Sequence, residues 1–153
     1  MSTLIDKKDD TFLGTNLKGM MMTLLAQWNG YMDEGRAATE FAEIRQSDMR
    51  VFGQLRGRVM KLSDIHRELG FSRQAAQQAV DRLAGHGVLQ VALAQGSRRD
   101  KVVSVTEKGQ RLRTLAAVQI RQIEEGCADV IGEDGKEQLR ALLVRLVEGQ
   151  RRS

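Results

Sequence analysis

Amide and guanidinium side chains recur at helical spacing between Ser72 and Arg82, where they could form hydrogen bonds to the edges of bases. Ala76, Val80 and Leu83 are spaced to face the interior of one helix. The outward-facing residues are then Arg73, Gln74, Gln77, Gln78 and Arg82. A Gln amide makes two hydrogen bonds to adenine and an Arg guanidinium makes two to guanine, each pair giving roughly 1–3 kcal/mol of discrimination. Gln and Arg are also good helix formers, so the same pattern could be an ordinary exposed helix face. The predicted elements on either side distinguish base reading from this alternative.

Two short helices separated by a tight turn are predicted to position these side chains. Ser63 is expected to cap the first helix, and Gly70 to end it. Ser72 is expected to cap the second helix, which extends to about His86. A turn this short excludes an antiparallel helix pair and is typical of a helix-turn-helix, whose second helix enters the major groove of DNA.

A β-hairpin is predicted next, with strands at 88–94 and 101–105 around a polar, Gly-bearing tip. Arg98 and Arg99 lie at the tip, and Lys101 follows as a candidate phosphate contact. A tip held away from the protein body can enter the narrow minor groove, whose negative potential attracts Arg. A solvated tip without a partner is the alternative.

The residues before this central region predict two helices and a connector. Apolar residues spaced three or four apart predict a helix from Leu17 that ends after Tyr31. Segment 37–44 is expected to form a short helix or only a turn. Ser47 is then expected to cap a further helix, which ends near Gly57.

The residues after the hairpin predict a long helix capped by Thr106 and, beyond a Gly-rich break at 132–135, a last helix. An apolar stripe on the last helix comprises Leu139, Leu142, Leu143, Leu146 and Val147. A central domain of residues 45–106 is too small to cover the apolar faces of all the outer helices, and a large exposed patch is a liability on a monomer. A two-fold homodimer is therefore expected, with its reading helices about 34–36 Å, or a multiple of that, apart on DNA.

Composition and charge favour one mainly α-helical domain with a polyanionic partner. The 153 residues suit a single core, contain no Pro, and are rich in helix formers between the glycines. Residues 45–101 carry 11 Lys and Arg against 5 Asp and Glu, a net charge of +6, while the remainder carries −2. A solvated surface could have the same charge. One Cys allows no internal disulfide and no stretch is long enough to span a membrane, so a cytoplasmic protein without a membrane anchor is predicted.

The central motifs resemble those of the multiple-antibiotic-resistance-regulator (MarR) family of winged helix-turn-helix transcription factors. The resemblance covers about Val51 to Leu112. It rests on the runs Leu62-Ser-Asp-Ile-His-Arg-Glu-Leu-Gly70, Ser72-Arg-Gln-Ala-Ala-Gln-Gln-Ala-Val-Asp-Arg-Leu83, Gly87-Val-Leu89, and Arg98-Arg99 through Thr106-Glu-Lys-Gly109. It implies a mainly α fold with a small β-hairpin wing. The implied organisation is an N-terminal dimerisation helix and connector at 1–44, a winged helix-turn-helix at 45–106, and C-terminal dimerisation helices at 107–153.

The resemblance also implies a homodimer that binds a pseudo-palindromic operator. The matching recognition-helix positions are Ser72, Arg73, Gln74, Gln77 and Gln78, with Arg82 as a phosphate contact and Arg99 as the wing arginine. The wing departs from the family pattern: Ser97 stands two residues before the wing arginine, where an Asp is usual, and the acid is displaced to Asp100. The carboxylate that usually orients the wing is therefore missing. The recognition helix also departs from the family pattern, with paired Gln where Ser or Thr followed by Arg is common.

In that family, small aromatic or anionic effectors bind where the first helix meets the DNA-binding part. Trp28, Tyr31 and Phe41 are the candidate pocket residues here, with ordinary core packing as the alternative. Thiol-sensing members carry a reactive Cys in the first helix, whereas Cys127 lies late in the chain and is expected to be a small buried hydrophobe. One Cys and two isolated His residues predict no catalytic site, metal site or cofactor.

The sequence therefore predicts a homodimeric regulator of transcription that binds double-stranded DNA, as a repressor released by a small ligand. The alternative from a different class is a winged-helix module whose basic face binds an acidic protein. The two differ in their affinity for duplex DNA and in how that affinity depends on salt.

Overall fold

A computed structural model describes residues 5–151 of the chain. Residues 1–4 and 152–153 of the predicted end segments lie outside this range. The helices and strands, in chain order, are α1 (Lys7–Thr15), α2 (Leu17–Arg36), α3 (Gln46–Leu55), β1 (Met60–Lys61), α4 (Leu62–Leu69), α5 (Arg73–Gly85), β2 (Leu89–Leu93), β3 (Lys101–Val105) and α6 (Glu107–Arg151). None of the described helices is both long and apolar enough to cross a membrane. The expected mainly α fold with a small β-hairpin is confirmed.

The predicted hairpin belongs to a three-stranded antiparallel sheet of order β1-β3-β2. In the hairpin, Leu89 pairs with Val105 and Leu93 with Lys101. Strand β1 was not predicted; it pairs Met60 with Val103 along the other edge of β3. Two residues are too few to show strand periodicity, so only the long-range pairing defines β1.

The helix-turn-helix follows the predicted local signals closely. Gly70 ends α4 in the left-handed conformation, with φ at 73°. The Ser72 Oγ accepts a hydrogen bond from the backbone N–H of Ala75 at 3.0 Å, which confirms it as the N-cap of α5. Helix α5 ends at Gly85, one residue before the predicted end, and it buries Ala76, Ala79, Val80 and Leu83.

Two predicted N-caps were wrong. Helix α3 begins at Gln46 and helix α4 at Leu62, so Ser47 and Ser63 lie inside their helices rather than before them. The start of α3 is set by the Arg45 carbonyl, which accepts hydrogen bonds from the N–H groups of Asp48 and Met49. Helix α4 leaves strand β1 directly, so the sheet rather than a capping hydroxyl decides where it begins.

The hydrophobic core of the described residues lies between α3, α4, α5, the sheet and the start of α6. The buried hydrophobic residues are Phe41, Ile44, Val51, Phe52, Leu55, Met60, Ile65, Ala76, Ala79, Val80, Leu83, Val88, Leu89, Val103 and Leu112. Phe41 and Ile44 reach this core from segment 37–44, which forms turns and no helix. This segment therefore matches the turn and not the short helix.

The N-terminal helices differ from the prediction at both ends. Helix α1 was not predicted; it begins at the Asp6 cap and leaves Phe12 and Leu13 exposed, so its sequence shows no buried stripe. Helix α2 does not end after Tyr31 but continues to Arg36. The extra turn is stabilised because Arg36 is buried and bonds to Asp33 and to the Ile44 carbonyl.

Helix α6 begins and breaks where the sequence predicts. The Thr106 Oγ1 accepts the Gly109 N–H at 3.0 Å, and a side chain at position 109 would collide with the Val88 carbonyl oxygen. Because Gly109 has no side chain, α6 can pack closely on the hairpin. Gly132, at φ 80° and ψ 162°, divides α6 into two helices, and an ion pair between Glu124 and Arg140 joins them across the break.

Candidate nucleic-acid interface

Helix α5 presents most of the predicted reading residues to solvent. Arg73, Gln74 and Gln78 are exposed, whereas Gln77 is half-buried. The inward face of the helix is held by the buried residues Ala76 and Val80, which fixes its rotation about its own axis. A rigidly held helix with exposed amides and a guanidinium has the donors and acceptors that base edges require.

Gln77 is oriented by a residue that the sequence analysis missed. Its Nε2 donates a hydrogen bond to Oδ1 of Asp81 at 3.0 Å. A carboxylate accepts and does not donate, so this contact fixes which way the amide points. One N–H and the amide oxygen of Gln77 remain for another partner. The i,i+4 spacing of Gln and Asp on a helix was the signal that could have found Asp81.

Arg82 is already engaged in an ion pair. Its Nε and Nη2 donate to the two carboxylate oxygens of Asp48 at 2.9 and 2.8 Å. The Asp48 hydrogen bonds raise the pKa of Arg82 above its ordinary value. Among the described residues, Nη1 has no hydrogen-bond partner and is left for the predicted phosphate contact. Asp48 lies 34 positions earlier in the chain, so no local pattern could have indicated the pair.

Ser72 combines two possible roles at the start of α5. Its oxygen accepts the Ala75 N–H as the helix cap, and its hydroxyl hydrogen remains available to donate. The N-terminus of a helix favours anions because its first N–H groups have no intrahelical partner. A phosphate approaching this end would meet both features.

The wing tip is ordered by the serine that replaces the usual acid. The Ser97 Oγ accepts hydrogen bonds from the N–H groups of Arg99 at 3.2 Å and Asp100 at 2.9 Å. The Ala94 N–H donates to the Asp100 carbonyl at 2.7 Å and closes the turn. Arg98 and Arg99 are exposed, and within residues 5–151 neither forms an ion pair. The tip therefore presents two unneutralised guanidinium groups.

Helix α5 and the β-hairpin lie side by side. A groove of about 370 Å³ separates them, with Gln77 and Asp81 on one wall and Leu93 and Lys101 on the other. Lys101 is exposed at the first residue of β3. The structure thus brings together residues from both predicted contact elements.

Three further arginines of the basic region 45–101, Arg45, Arg50 and Arg58, are also candidates for phosphate contact, and their surroundings differ. Arg45 is exposed. Arg50 lies over the Phe71 ring, with its guanidinium carbon 5.1 Å from the ring centroid. Arg58 bonds to Glu68 at 2.6 Å and to the Leu55 carbonyl at 2.9 Å, so its charge is partly neutralised.

The predicted effector residues do not share one pocket. Trp28 and Tyr31 line a cavity of about 500 Å³ between α2 and α6, where the Tyr31 hydroxyl donates to Gln122. Phe41 instead lies in the hydrophobic core, which is the alternative considered for it. Cys127 is half-buried and lines the same cavity as Trp28.

A second cavity, missed from the sequence, lies between α2, α3 and α6 and encloses about 320 Å³. Its charged lining residues are Asp33, Arg36, Arg50, Arg56 and Arg113. Arg36 is 4% exposed, and its Nε has no hydrogen-bond partner in the described part of the chain. The excess of guanidinium groups over carboxylates favours an anionic occupant. These arginines come from three distant segments, so only the fold brings them together.

No family model and no curated protein matches the sequence, whereas many solved structures match the fold. The structure of MarR superposes with a TM-score of 0.77 at 16% identity, covering 91% of this chain and 100% of MarR. A MarR transcriptional regulator from Methanosarcina mazei gives 0.75 at 14% identity, with 89% and 96% covered. Bordetella bronchiseptica BpsR, described through regulation of its DNA binding by 6-hydroxynicotinic acid, gives 0.66 at 14%, with 87% and 99% covered. The chain has the winged-helix fold of MarR-type transcriptional regulators, which confirms the predicted resemblance at the level of the fold.

Proposed function

We propose that this protein is a homodimer that binds double-stranded DNA at a pseudo-palindromic site and controls transcription as a repressor. The observation that carries the proposal is the adjacency of two elements, helix α5 and the hairpin, which face each other across the groove between Gln77 and Lys101. Helix α5 exposes Arg73, Gln74 and Gln78, and the hairpin exposes Arg98 and Arg99 at its tip. The helix offers base-reading groups for the major groove. The wing offers guanidinium groups for the neighbouring minor groove.

The distribution of charge supports this proposal. Residues 45–101, which hold both elements, have a net charge of +6, and the rest of the chain is mildly acidic. Ser72 at the start of α5 and Lys101 beside the groove are the phosphate contacts that hold the register. Arg82 contributes through the Nη1 that Asp48 leaves free.

The outer helices support a dimer. In the single chain, Leu17 and Met22 of α2 are 69% and 61% exposed, and Leu142 and Val147 of α6 are each 53% exposed. Apolar side chains exposed along two neighbouring helices are typical of an interface. A two-fold axis between such faces presents two copies of α5 to successive turns of DNA.

Titration of binding against salt tests the DNA-binding proposal. Fluorescence anisotropy with a labelled duplex should give a linear fall of log K with log salt, with a slope of about −0.9 per phosphate neutralised. The same measurement with an acidic peptide serves as the control. No duplex affinity at low ionic strength would refute the proposal and favour a protein-interaction module.

We further propose that a small aromatic or anionic ligand releases the DNA. The cavity of about 320 Å³ supports an aromatic carboxylate, because an arginine-rich wall lies beside the apolar side chains of Met49 and Phe52. The solved structure of BpsR concerns 6-hydroxynicotinic acid, a compound of this class. The cavity that Trp28 and Tyr31 line is the other candidate for this ligand.

Thermal denaturation with benzoate and nicotinate tests the ligand proposal. The wild-type protein should melt at a higher temperature with ligand, since binding to the folded state stabilises it. Arg36→Gln or Arg113→Gln should abolish the shift, and Arg121→Gln, an exposed position on α6 outside the cavity, should keep it. If both cavity variants keep the full shift in melting temperature, the ligand binds instead in the cavity that Trp28 and Tyr31 line.

A further inference from the structure

The ion pair between Asp48 and Arg82 joins helix α3 to the recognition helix α5. Asp48 has no exposed surface, and both of its carboxylate oxygens accept from Arg82, at 2.8 and 2.9 Å. The Arg82 side chain is 36% exposed, so one edge of its guanidinium faces the buried acid and another reaches solvent. A bidentate pair of this kind fixes geometry as well as charge.

A buried ion pair is a weak explanation for stability. Removing two charges from water costs about as much free energy as their attraction returns, and apolar residues of similar volume often serve as well. Arg82 lies on the helix that carries Gln77 and Gln78, about one turn beyond them. The position of the ion pair therefore points to a role in DNA contact by α5 as well as in folding.

The pair also changes the charge that α5 offers to DNA. Arg82 remains a cation, but the carboxylate of Asp48 cancels that charge at contact distance. A phosphate near Arg82 meets the remaining Nη1 donors in a fixed direction, with little net attraction. Attraction to phosphate strengthens binding to every sequence equally, whereas a fixed geometry helps only the sequence whose bases match.

We propose that Asp48 is a positioning residue for DNA reading, which holds Arg82 as a directed, charge-compensated donor and thereby favours specific over non-specific binding. This inference rests on the DNA-binding function proposed above. It predicts that removing the carboxylate makes the protein bind DNA more tightly and less selectively. A purely structural Asp48 predicts only a lower melting temperature.

Asp48→Asn tests this directly in the full-length protein. The amide keeps the shape but frees one positive charge, so the slope of log K against log salt should steepen by about 0.9. At 0.1 M salt, one added phosphate contact strengthens random-duplex binding roughly 8-fold. The ratio of affinities for a selected and a random duplex should fall severalfold. An unchanged slope and ratio would overturn the proposal.

Glu40→Gln is the matched control, because Glu40 also forms a bidentate pair with an arginine, Arg111, but outside α5. It should leave slope and ratio unchanged. If Glu40→Gln steepens the salt slope as much as Asp48→Asn does, the change comes from the net charge of the protein and not from Arg82, and the proposal is overturned.

The double variant Asp48→Asn with Arg82→Gln keeps the proposal testable if Asp48→Asn does not fold. It removes both charges and leaves an uncharged amide at each position. If the native pair is charge-compensated, the salt slope of the double variant equals that of the wild type. If Arg82 acts as a full cation, the slope becomes shallower by about 0.9, which would overturn the proposal. Absence of any wild-type duplex affinity would instead refute the underlying DNA-binding function.

Discussion

Replacing Gln77 with Ala should reduce sequence preference without reducing general DNA affinity. A bidentate contact from an amide to adenine contributes roughly 1–3 kcal/mol of discrimination. Asp81 already holds the Gln77 amide at 3.0 Å, so less side-chain freedom is lost on binding. We therefore expect a loss of about 2 kcal/mol on the selected duplex, which is roughly 30-fold in affinity. The amide carries no charge, so random-duplex binding should change less than about 2-fold.

Fluorescence anisotropy with one selected and one random duplex at a single salt concentration measures both affinities. Ala is the better helix former, and the lost i,i+4 contact contributes only about 0.2–0.5 kcal/mol, so the melting temperature should barely change. Gln54→Ala, which removes an exposed Gln from the neighbouring helix α3, is the control and should leave both affinities unchanged. Equal losses on the two duplexes would refute base reading by Gln77.

Three further predictions concern the wing, the outer helices and the Glu40 ion pair. Arg99→Ala should weaken duplex binding and reduce the preference for a narrow A·T-rich minor groove, measured on duplexes that differ only at the wing contact; unchanged affinity would show that the wing lies away from DNA. Leu142→Glu should convert a dimer into a monomer in light scattering, and a dimeric variant would place the interface elsewhere. The Arg111 hydrogen bond holds the pKa of Glu40 below its ordinary value of 4.5, so this pair stabilises the folded state above that pH and less as the pH falls below it. The melting temperatures of wild type and Glu40→Gln should therefore differ at pH 7 and converge on acidification, whereas a constant difference would contradict this ion-pair contribution.

Helix α5 and the β-hairpin were predictable because their signals are local. Ser72 caps α5 through a residue three positions away, and Gly70 ends α4 through its own backbone conformation. The inward spacing of Ala76 and Val80 is likewise a property of one helix. Such features depend on residues only a few positions apart, so residue type and spacing are enough to predict them.

The features that were missed depend on residues distant in the chain. Strand β1 is defined by its pairing with β3, and the ion pair joins Asp48 of α3 to Arg82 of α5, which are 34 positions apart in the chain. The arginine-lined cavity forms only when α2, α3 and α6 meet around Arg36. Phe41 was predicted as a pocket residue from its position between the first helix and the DNA-binding part, whereas the turn at 37–44 directs it into the core, the alternative given for it. Sequence periodicity carries no information on such contacts between elements.

Selection of bound fragments from a pool of random duplexes is the most direct test of the central claim, that two copies of α5 read successive turns of DNA. The account predicts enrichment of an inverted repeat whose half-site centres lie about 34–36 Å apart, or a multiple of that distance. Enrichment of a single unrepeated site, or no enrichment at low salt, would contradict it.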